Sequence, residues 1–373
     1  MANHSILVIN PGSTSDLVAF YKGGKQVFLK TVRYSRESMR PFDKLPISAQ
    51  FEMRKETVLN SLKENGIDLK NVECIIGRGG LLKPIEGGVY AINDRIIEDS
   101  TVGVQGEHPC NLGALLAKNL AEVNGVPSFI ADPGIVDELD PLARYSGMPE
   151  NPRISLFHAL NQKRVARMEA EKMGKTYEQC RFVIMHAGGG ISIGAHRDGR
   201  AVDVNGALSG DGPFTPQRSG SVPEFGLVKM CFSGKYTLNE MRQKITGHGG
   251  LMAYTGTSDC KALEDYALHG TVNEGSGIFP EKISREKVLE ILNAMIYQMA
   301  KEIGAYSAVL EGKIDAIILT GGLMYSKYIV KELTRRIDWI APVKLYPGGD
   351  EMAALAESAE RALNNPEIIK EYK

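Results

Sequence analysis

The chain is poor in the features that most readily reveal a function. Its 373 residues include only five cysteines, Cys74, Cys110, Cys180, Cys231 and Cys260, dispersed, odd in number and never in C-x-x-C spacing. That excludes a disulfide framework and a zinc ribbon, and it points to reduced thiols. No metal-ligand spacing such as H-E-x-x-H occurs, which argues against a zinc enzyme. Charge of one sign is also missing: 44 Lys and Arg against 45 Asp and Glu leave a net charge of -1. Such a balance provides no field for nucleic acid or a membrane surface, and any anionic ligand must be held locally. No apolar run reaches the roughly 18 residues that span a bilayer, and no basic segment followed by an apolar h-region opens the sequence. A cytoplasmic protein acting on small molecules is the expectation, with neither nucleic acid nor membrane as a partner.

What is present is glycine, 40 residues of it, in a chain 43% hydrophobic and 24% charged. The length suggests about two domains. Residues 9 to 15, INPGSTS, follow the apolar run SILVI. Pro-Gly sets a tight turn, and Asn10, Ser13, Thr14 and Ser15 add side-chain donors to backbone N-H groups that can face an anion. Strands are expected over 17–21 and 27–32 with Gly23-Gly24 as their hairpin turn, a helix over 50–65, and a buried strand in CIIGRGGLL. NLGALLAKNLAEVNG reads as a helix with a glycine stop, and VPSFIAD as a strand ending at Asp132. Alternating strands and helices give an α/β class.

The second half starts near Pro152, with a helix expected over 155–173. Then RFVIMHAGGGISIGAHRDGRAVDV repeats the opening scheme of strand, Gly-rich turn, strand, hairpin turn, strand, with Asp198-Gly199 in the place of Gly23-Gly24. This internal echo predicts two copies of one fold. Further on, apolar residues at 288, 291, 292, 295, 296, 299, 303 and 306 form one helical stripe. The segment DAIILTGGLMYSKYIVKELTRRI reads as buried strand, Gly321-Gly322 turn and helix, a place where a nucleoside can approach backbone closely.

Three turns in this order, NPGSTS, HAGGGIS and TGGLM, resemble the acetate and sugar kinase, Hsp70 and actin superfamily. The finer pattern is sharper. GRGGLLKPIEGG, GEHPCNLGA, ADPGIVDE, FHALNQKRVAR, DVNGALSGDGPFTPQRSG, GHGGLMAY and APVKLYPGGDEMAALAE join those turns in an order, from about Ile6 to Glu357, that resembles the acetate kinase family and its butyrate-using branch. The resemblance implies a duplicated ribonuclease H-like (actin-like ATPase) fold, two domains around a nucleotide cleft. The domains expected are 1–152, completed by a C-terminal helix within 351–373, and a nucleotide-binding domain, 153–350. The implied reaction is reversible phosphoryl transfer between ATP and butyrate, giving butanoyl phosphate and ADP, in a homodimer or larger homo-oligomer. Related readings are a kinase for isobutyrate, propionate or acetate, and a non-catalytic ATP-gated protein of the actin or Hsp70 kind.

The resemblance also assigns residues. Arg78 and Arg218 would be the fixed cations that phosphoryl transfer needs, and His158 would hydrogen-bond the moving phosphoryl group. Asp132 completes the catalytic set, while Arg78 and His108 would meet the acid. Asn10, Ser13, Ser15, His186, Gly188, Gly189, Gly190, Gly321 and Gly322 would bind ATP or ADP. Asn10, Asp132 and Glu351 would hold magnesium, with Asp350 competing with Glu351. Arg153, Arg164 and Arg167 match no functional position. Two departures stand out: members of the branch often have Thr-Lys where this chain has Asp16-Leu17, and an acidic residue where it has Gly349. Asp16 would bring negative charge to a phosphate site unless it faces away.

Overall fold

A computed structural model describes residues 4–373. In chain order its strands are β1 (Ser5–Pro11), β2 (Ser15–Lys22), β3 (Lys25–Arg33), β4 (Cys74–Arg78), β5 (Val89–Ala91) and β6 (Ser128–Ala131). The remainder are β7 (Arg181–Ala187), β8 (Ile191–Arg197), β9 (Arg200–Val204), β10 (Ala316–Gly321), β11 (Val343–Pro347) and β12 (Ile369–Lys370). Six helices matter most for function: α1 (Phe51–Glu64), α2 (Asn111–Asn124), α3 (Ala159–Lys172), α4 (Arg285–Val309), α5 (Lys327–Ile337) and α6 (Glu351–Asn364).

The strands make two sheets, ordered β12-β5-β6-β4-β1-β2-β3 and β11-β10-β7-β8-β9. In the first, β1, β2 and β3 form an antiparallel meander, β4 runs parallel to β1, and β6 runs parallel to β4. In the second, β7, β8 and β9 repeat the meander, with β10 parallel to β7 and β11 parallel to β10. The echo read in the sequence is therefore a repeat of topology. Both meanders turn through left-handed residues, Gly23 and Gly24 at φ 57 and 71, Asp198 and Gly199 at φ 54 and 73, the geometry that matches strand twist in a two-residue hairpin. Even a ladder irregularity repeats, between Phe20 and Tyr21 and again between Ala195 and His196.

The chain packs as two compact units. One reaches Asp137 and is completed by Ala159–Asn161 and Asp350–Lys373; the other comprises Glu138–His158 and Gln162–Gly349. Segment 138–152, expected with the first domain, lies with the second unit. There the Asp140 N-H donates to the Val202 carbonyl at 2.8 Å.

The central strands β1, β4, β7, β8 and β10 are buried on both faces, and residues that alternate along a strand face opposite layers. In the first unit Ile6, Val8, Ala19 and Ile76 pack against Met352, Leu355 and Ala359 of α6. In the second, Ile191, Ile193 and Ala195 on one face of β8 pack with Val288, Leu292, Met295, Met299 and Ile303 of α4. The whole apolar stripe read for α4 is buried. The helix expected over 155–173 is shorter, Ala159–Lys172. Its missing first turn is irregular, held out of the helix as the Arg153 guanidinium is tied to Asp203 and the Val204 carbonyl at 2.8 and 2.9 Å, and the Leu156 carbonyl accepts from Ala207 N-H at 3.1 Å. No described helix is long and apolar enough to cross a membrane.

Candidate active site

In the first unit three expected residues sit at the C-terminal ends of adjacent parallel strands: Asn10 on β1, Arg78 on β4 and Asp132 just past β6. The register pairs Ile9 with Gly77 and Arg78 with Ala131. This end of a parallel sheet is where α/β folds place ligands. The first turn of α6 adds Glu351. Its Oε2 accepts from Asn10 Nδ2 at 2.8 Å and pairs with the Arg78 guanidinium at 2.5 Å. Burial pulls the Arg78 pKa down, but this carboxylate outweighs it and keeps the pKa raised. Asp350, the competing candidate, is engaged elsewhere, because its carboxylate caps α6 by accepting the Ala353 N-H at 2.9 Å.

Glycine is required here by close approach. A Cβ at Gly77 or Gly113 would overlap the other's neighbourhood, Gly113's carbonyl in one case and Arg78's backbone in the other, so α2 lies directly on β4. Asn111 then reaches the GRGG loop, its Oδ1 accepting from Leu81 N-H at 2.9 Å. His108 precedes this helix, and its Nδ1 accepts from Cys110 N-H at 3.2 Å. Burial and then the Arg78 charge lower its pKa. Asp132 has left-handed backbone, φ 37, and is buried. Its Oδ1 accepts from Gly88 N-H at 2.7 Å, which aims the side chain while the strand ends.

The β1–β2 turn closes with Gly12 N-H donating to Ser15 O at 2.8 Å, and Ser13 lies exposed at its tip. Asp16 does face away. It is fully buried and ion-paired with Arg54 of α1, also fully buried, and accepts from the Tyr34 hydroxyl at 2.6 Å. Arg54 donates to the Gly12 carbonyl at 2.9 Å as well, so one guanidinium neutralises the acid and holds the turn. Sequence reasoning missed Arg54. The signal was Asp16 itself, an acid that needed a cation.

In the second unit the HAGGG turn leaves the end of β7. Gly188 N-H donates to Gly190 O at 2.8 Å, and the Thr215 hydroxyl donates to Gly189 O at 2.7 Å. Thr215 Oγ in turn accepts from Arg218 N-H at 2.9 Å, which seats the PQRSG loop against the turn. A Cβ on Gly190 would overlap the Arg218 guanidinium. Arg218 Nη1 is buried and has no hydrogen-bond partner among the described residues, and burial depresses its pKa. A buried, unsatisfied cationic donor beside a glycine turn suits an anion. Gly321, at φ 96, ends β10, and a Cβ there would overlap the Ala187 backbone, whereas one on Gly322 would meet nothing. The two glycine turns thus share the end of this sheet, one backed tightly on the other. His186 and His158 stack with ring centroids 4.1 Å apart and planes 18° from parallel, and His158 Nδ1 lies 2.8 Å from Ser192 Oγ.

The expected residues therefore form two groups, each on its own unit: Asn10, Ser13, Ser15, Arg78, His108, Asp132 and Glu351 on the first, and His158, His186, Gly188–190, Arg218 and Gly321–322 on the second. Among the described residues no three or more His, Cys, Asp and Glu side chains gather as a metal cage. An ion held here would rely on one or two carboxylates and an amide, completed by water and phosphate oxygens, the habit of magnesium.

Residues 153–341 match the acetokinase family. Over 371 residues the chain is 53% identical to a probable butyrate kinase of Elusimicrobium minutum, covering 99% of this chain and 100% of that one. It is 45% identical over 368 residues to butyrate kinase 2 of Clostridium acetobutylicum, covering 99% of each. Among solved structures, acetate kinase of Porphyromonas gingivalis superposes with a TM-score of 0.74 at 18% identity, over 96% of this chain and 100% of that one. Acetate kinase of Entamoeba histolytica gives 0.71 at 14%, over 95% and 99%. At these identities the structural likeness establishes the duplicated fold.

Proposed function

Because this chain belongs to the acetokinase family, a family of carboxylate kinases that use ATP and ADP, we propose that its acid is butyrate, exchanged for butanoyl phosphate. The observation that carries the chemistry is the buried Arg218 nitrogen without a partner, beside the Gly188–190 turn. The choice of acid rests on the relatives named butyrate kinase. Phosphoryl transfer is catalysed mainly by positioning and by neutralising charge in flight. In this reading Arg218 meets the phosphoryl group, His158 donates a hydrogen bond to it, and Arg78 with His108 meets the acid. The amides of Gly188, Gly189 and Gly190 and the side chains of Ser13 and Ser15 take phosphate oxygens, His186 supports the same turn, and Gly321-Gly322 admits the nucleoside.

Asn10, Asp132 and Glu351 would hold hydrated magnesium, which supplies neutralising charge to the phosphates. Changing Asp132→Asn keeps an acceptor for Gly88 N-H, and Glu351→Gln keeps one for Asn10, yet each removes a negative charge. Both should raise the magnesium concentration needed for half-maximal rate; an unchanged requirement in the two variants would remove these residues from the metal.

The function is tested by incubating the protein with ATP, magnesium, hydroxylamine and straight or branched acids of two to five carbons. Butyryl hydroxamate is the expected dominant product. A larger yield from isobutyrate, propionate or acetate would reassign the acid, since one methylene is worth only about 1–3 kcal/mol of discrimination. No hydroxamate from any acid, with ATP hydrolysis intact, would overturn the proposal. A cytoplasmic setting is supported by five cysteines that are all thiols, and a homodimer or larger homo-oligomer is the assembly to expect in sedimentation.

A further inference from the structure

Behind His158 the second unit contains a hydrogen-bonded chain of side chains that the reaction as described leaves unused. Ser192 and His196 lie on one face of β8, and Gln162 lies one helical turn after His158 on α3. Ser192, Gln162 and His196 are fully buried, and Tyr177 nearly so. Gln162 Nε2 is 2.9 Å from Ser192 Oγ and 3.1 Å from the Ser192 carbonyl. Gln162 Oε1 is 2.8 Å from His196 Nε2, and His196 Nδ1 is 2.6 Å from the Tyr177 hydroxyl. Between Ser192 and His196 on the same face stands Gly194, where a Cβ would crowd Gln162 Oε1 at 3.1 Å and His196 Nε2 at 3.2 Å. The strand leaves a gap where the amide lies.

The direction of every donor in this chain follows from one group. The Ser192 carbonyl can only accept, so the nitrogen of the Gln162 amide faces it, and the amide oxygen faces His196. That oxygen can only accept, so His196 carries its proton on Nε2, and its Nδ1 accepts from the Tyr177 hydroxyl. Burial, then the nearby Lys163 charge, lowers the His196 pKa well below its usual value, consistent with one ring proton. At the other end Ser192 Oγ accepts from Gln162 and, at 3.4 Å, from the His158 backbone N-H. Both lone pairs are then engaged, and its own proton goes to His158 Nδ1.

We propose that Tyr177, His196, Gln162 and Ser192 are positioning residues, a one-way hydrogen-bond chain that holds His158 in the Nε2-H tautomer. The inference rests on the reading of His158 as the donor to the phosphoryl group. An Nε2-H imidazole presents a donor to a phosphoryl oxygen, whereas the other tautomer would turn a lone pair toward it. Which nitrogen of a histidine carries the proton is set by the bond the other nitrogen makes, and losing the partner that orients a metal-bound histidine typically costs about 10- to 100-fold in activity, the scale expected here.

The test uses the full-length protein labelled with 15N-histidine, whose ring tautomers have distinct long-range proton–nitrogen correlations; the His158 signals are those missing from His158→Asn. In the unaltered protein at neutral pH the Nε2-H pattern is expected. Gln162→Glu keeps the shape but replaces the donating amide by an accepting carboxylate. Ser192 should then donate to it and accept from His158, so the ring flips to Nδ1-H. Ser192→Ala should leave a mixture of tautomers. Both variants should lower kcat about 10- to 100-fold with a smaller change in KM for ATP. An Nδ1-H ring in the unaltered protein, or an unchanged tautomer in both variants, would overturn the chain. A tautomer that shifts as expected while kcat stays normal, with His158→Asn fully active, would uphold the chain and overturn the role given to His158.

Discussion

Arg218→Ala should lower kcat by about 10² to 10³ while leaving the melting temperature close to that of the parent protein. This is the usual loss for one electrostatic stabiliser of charge in the transition state. The structure favours a loss in rate over a loss of fold because Arg218 Nη1 is buried without a partner: truncation removes an unsatisfied donor, not a protein hydrogen bond. The loop itself is held by its backbone, Thr215 N-H donating to Arg218 O at 3.0 Å and Arg218 N-H to Thr215 Oγ at 2.9 Å. Arg218→Lys should recover part of the rate, since an ammonium restores charge without the planar fork. Steady-state kinetics and thermal melts on the same preparations decide the matter. Near-normal kcat in folded Arg218→Ala would take the residue out of the reaction.

Arg54→Met should have the largest effect on stability, about 3 to 5 kcal/mol, because it leaves the buried Asp16 charge uncompensated. Burial already pushes the Asp16 carboxyl up, against the pull of Arg54 and then Tyr34. With Arg54 gone, the native carboxyl binds its proton at higher pH than the unfolded one does. A native state that binds more protons is stabilised as pH falls, so the variant should unfold at higher urea near pH 5.5 than near pH 8. Adding Asp16→Asn should restore much of the loss, a coupling expected for residues in direct contact. Urea unfolding of the two single variants and the double variant measures this. Additive losses would show that the pair is not coupled and that Arg54 acts only through the Gly12 carbonyl.

The parts of this protein legible in its sequence are those with a local signal. The strand–turn–strand echo, the hairpin turns and the α4 stripe all depend on spacing within a few residues, and all are present in the fold. The start of α3 was not legible, because what keeps residues 155–158 out of the helix is the Arg153 tie to Asp203, far along the chain. The same holds for the site. Glycine turns and family motifs pointed to Asn10, Arg78, Arg218 and Glu351, yet only the folded chain separates Asp350, which caps a helix, from Glu351, which meets Arg78. Arg54 and the Gln162 chain gave no signal of their own, since a buried arginine in a helix and a glutamine one turn after a histidine look ordinary until their partners arrive from elsewhere.

The makeup of the first unit has a consequence for biosynthesis. Its sheet includes β12, its core includes α6, and its cluster at Asn10 and Arg78 includes Glu351, all from residues 350–373. Tyr372 is buried too, its hydroxyl donating to Asp99 at 2.5 Å. A ribosome delivers 138–349 before any of these, so the second unit has its full complement of strands while the first still waits for helix, edge strand and carboxylate. The nascent chain lacks the carboxylate that meets Asn10 and Arg78 until that late segment emerges, and a product stopped before Glu351 carries Arg78 without this counter-ion.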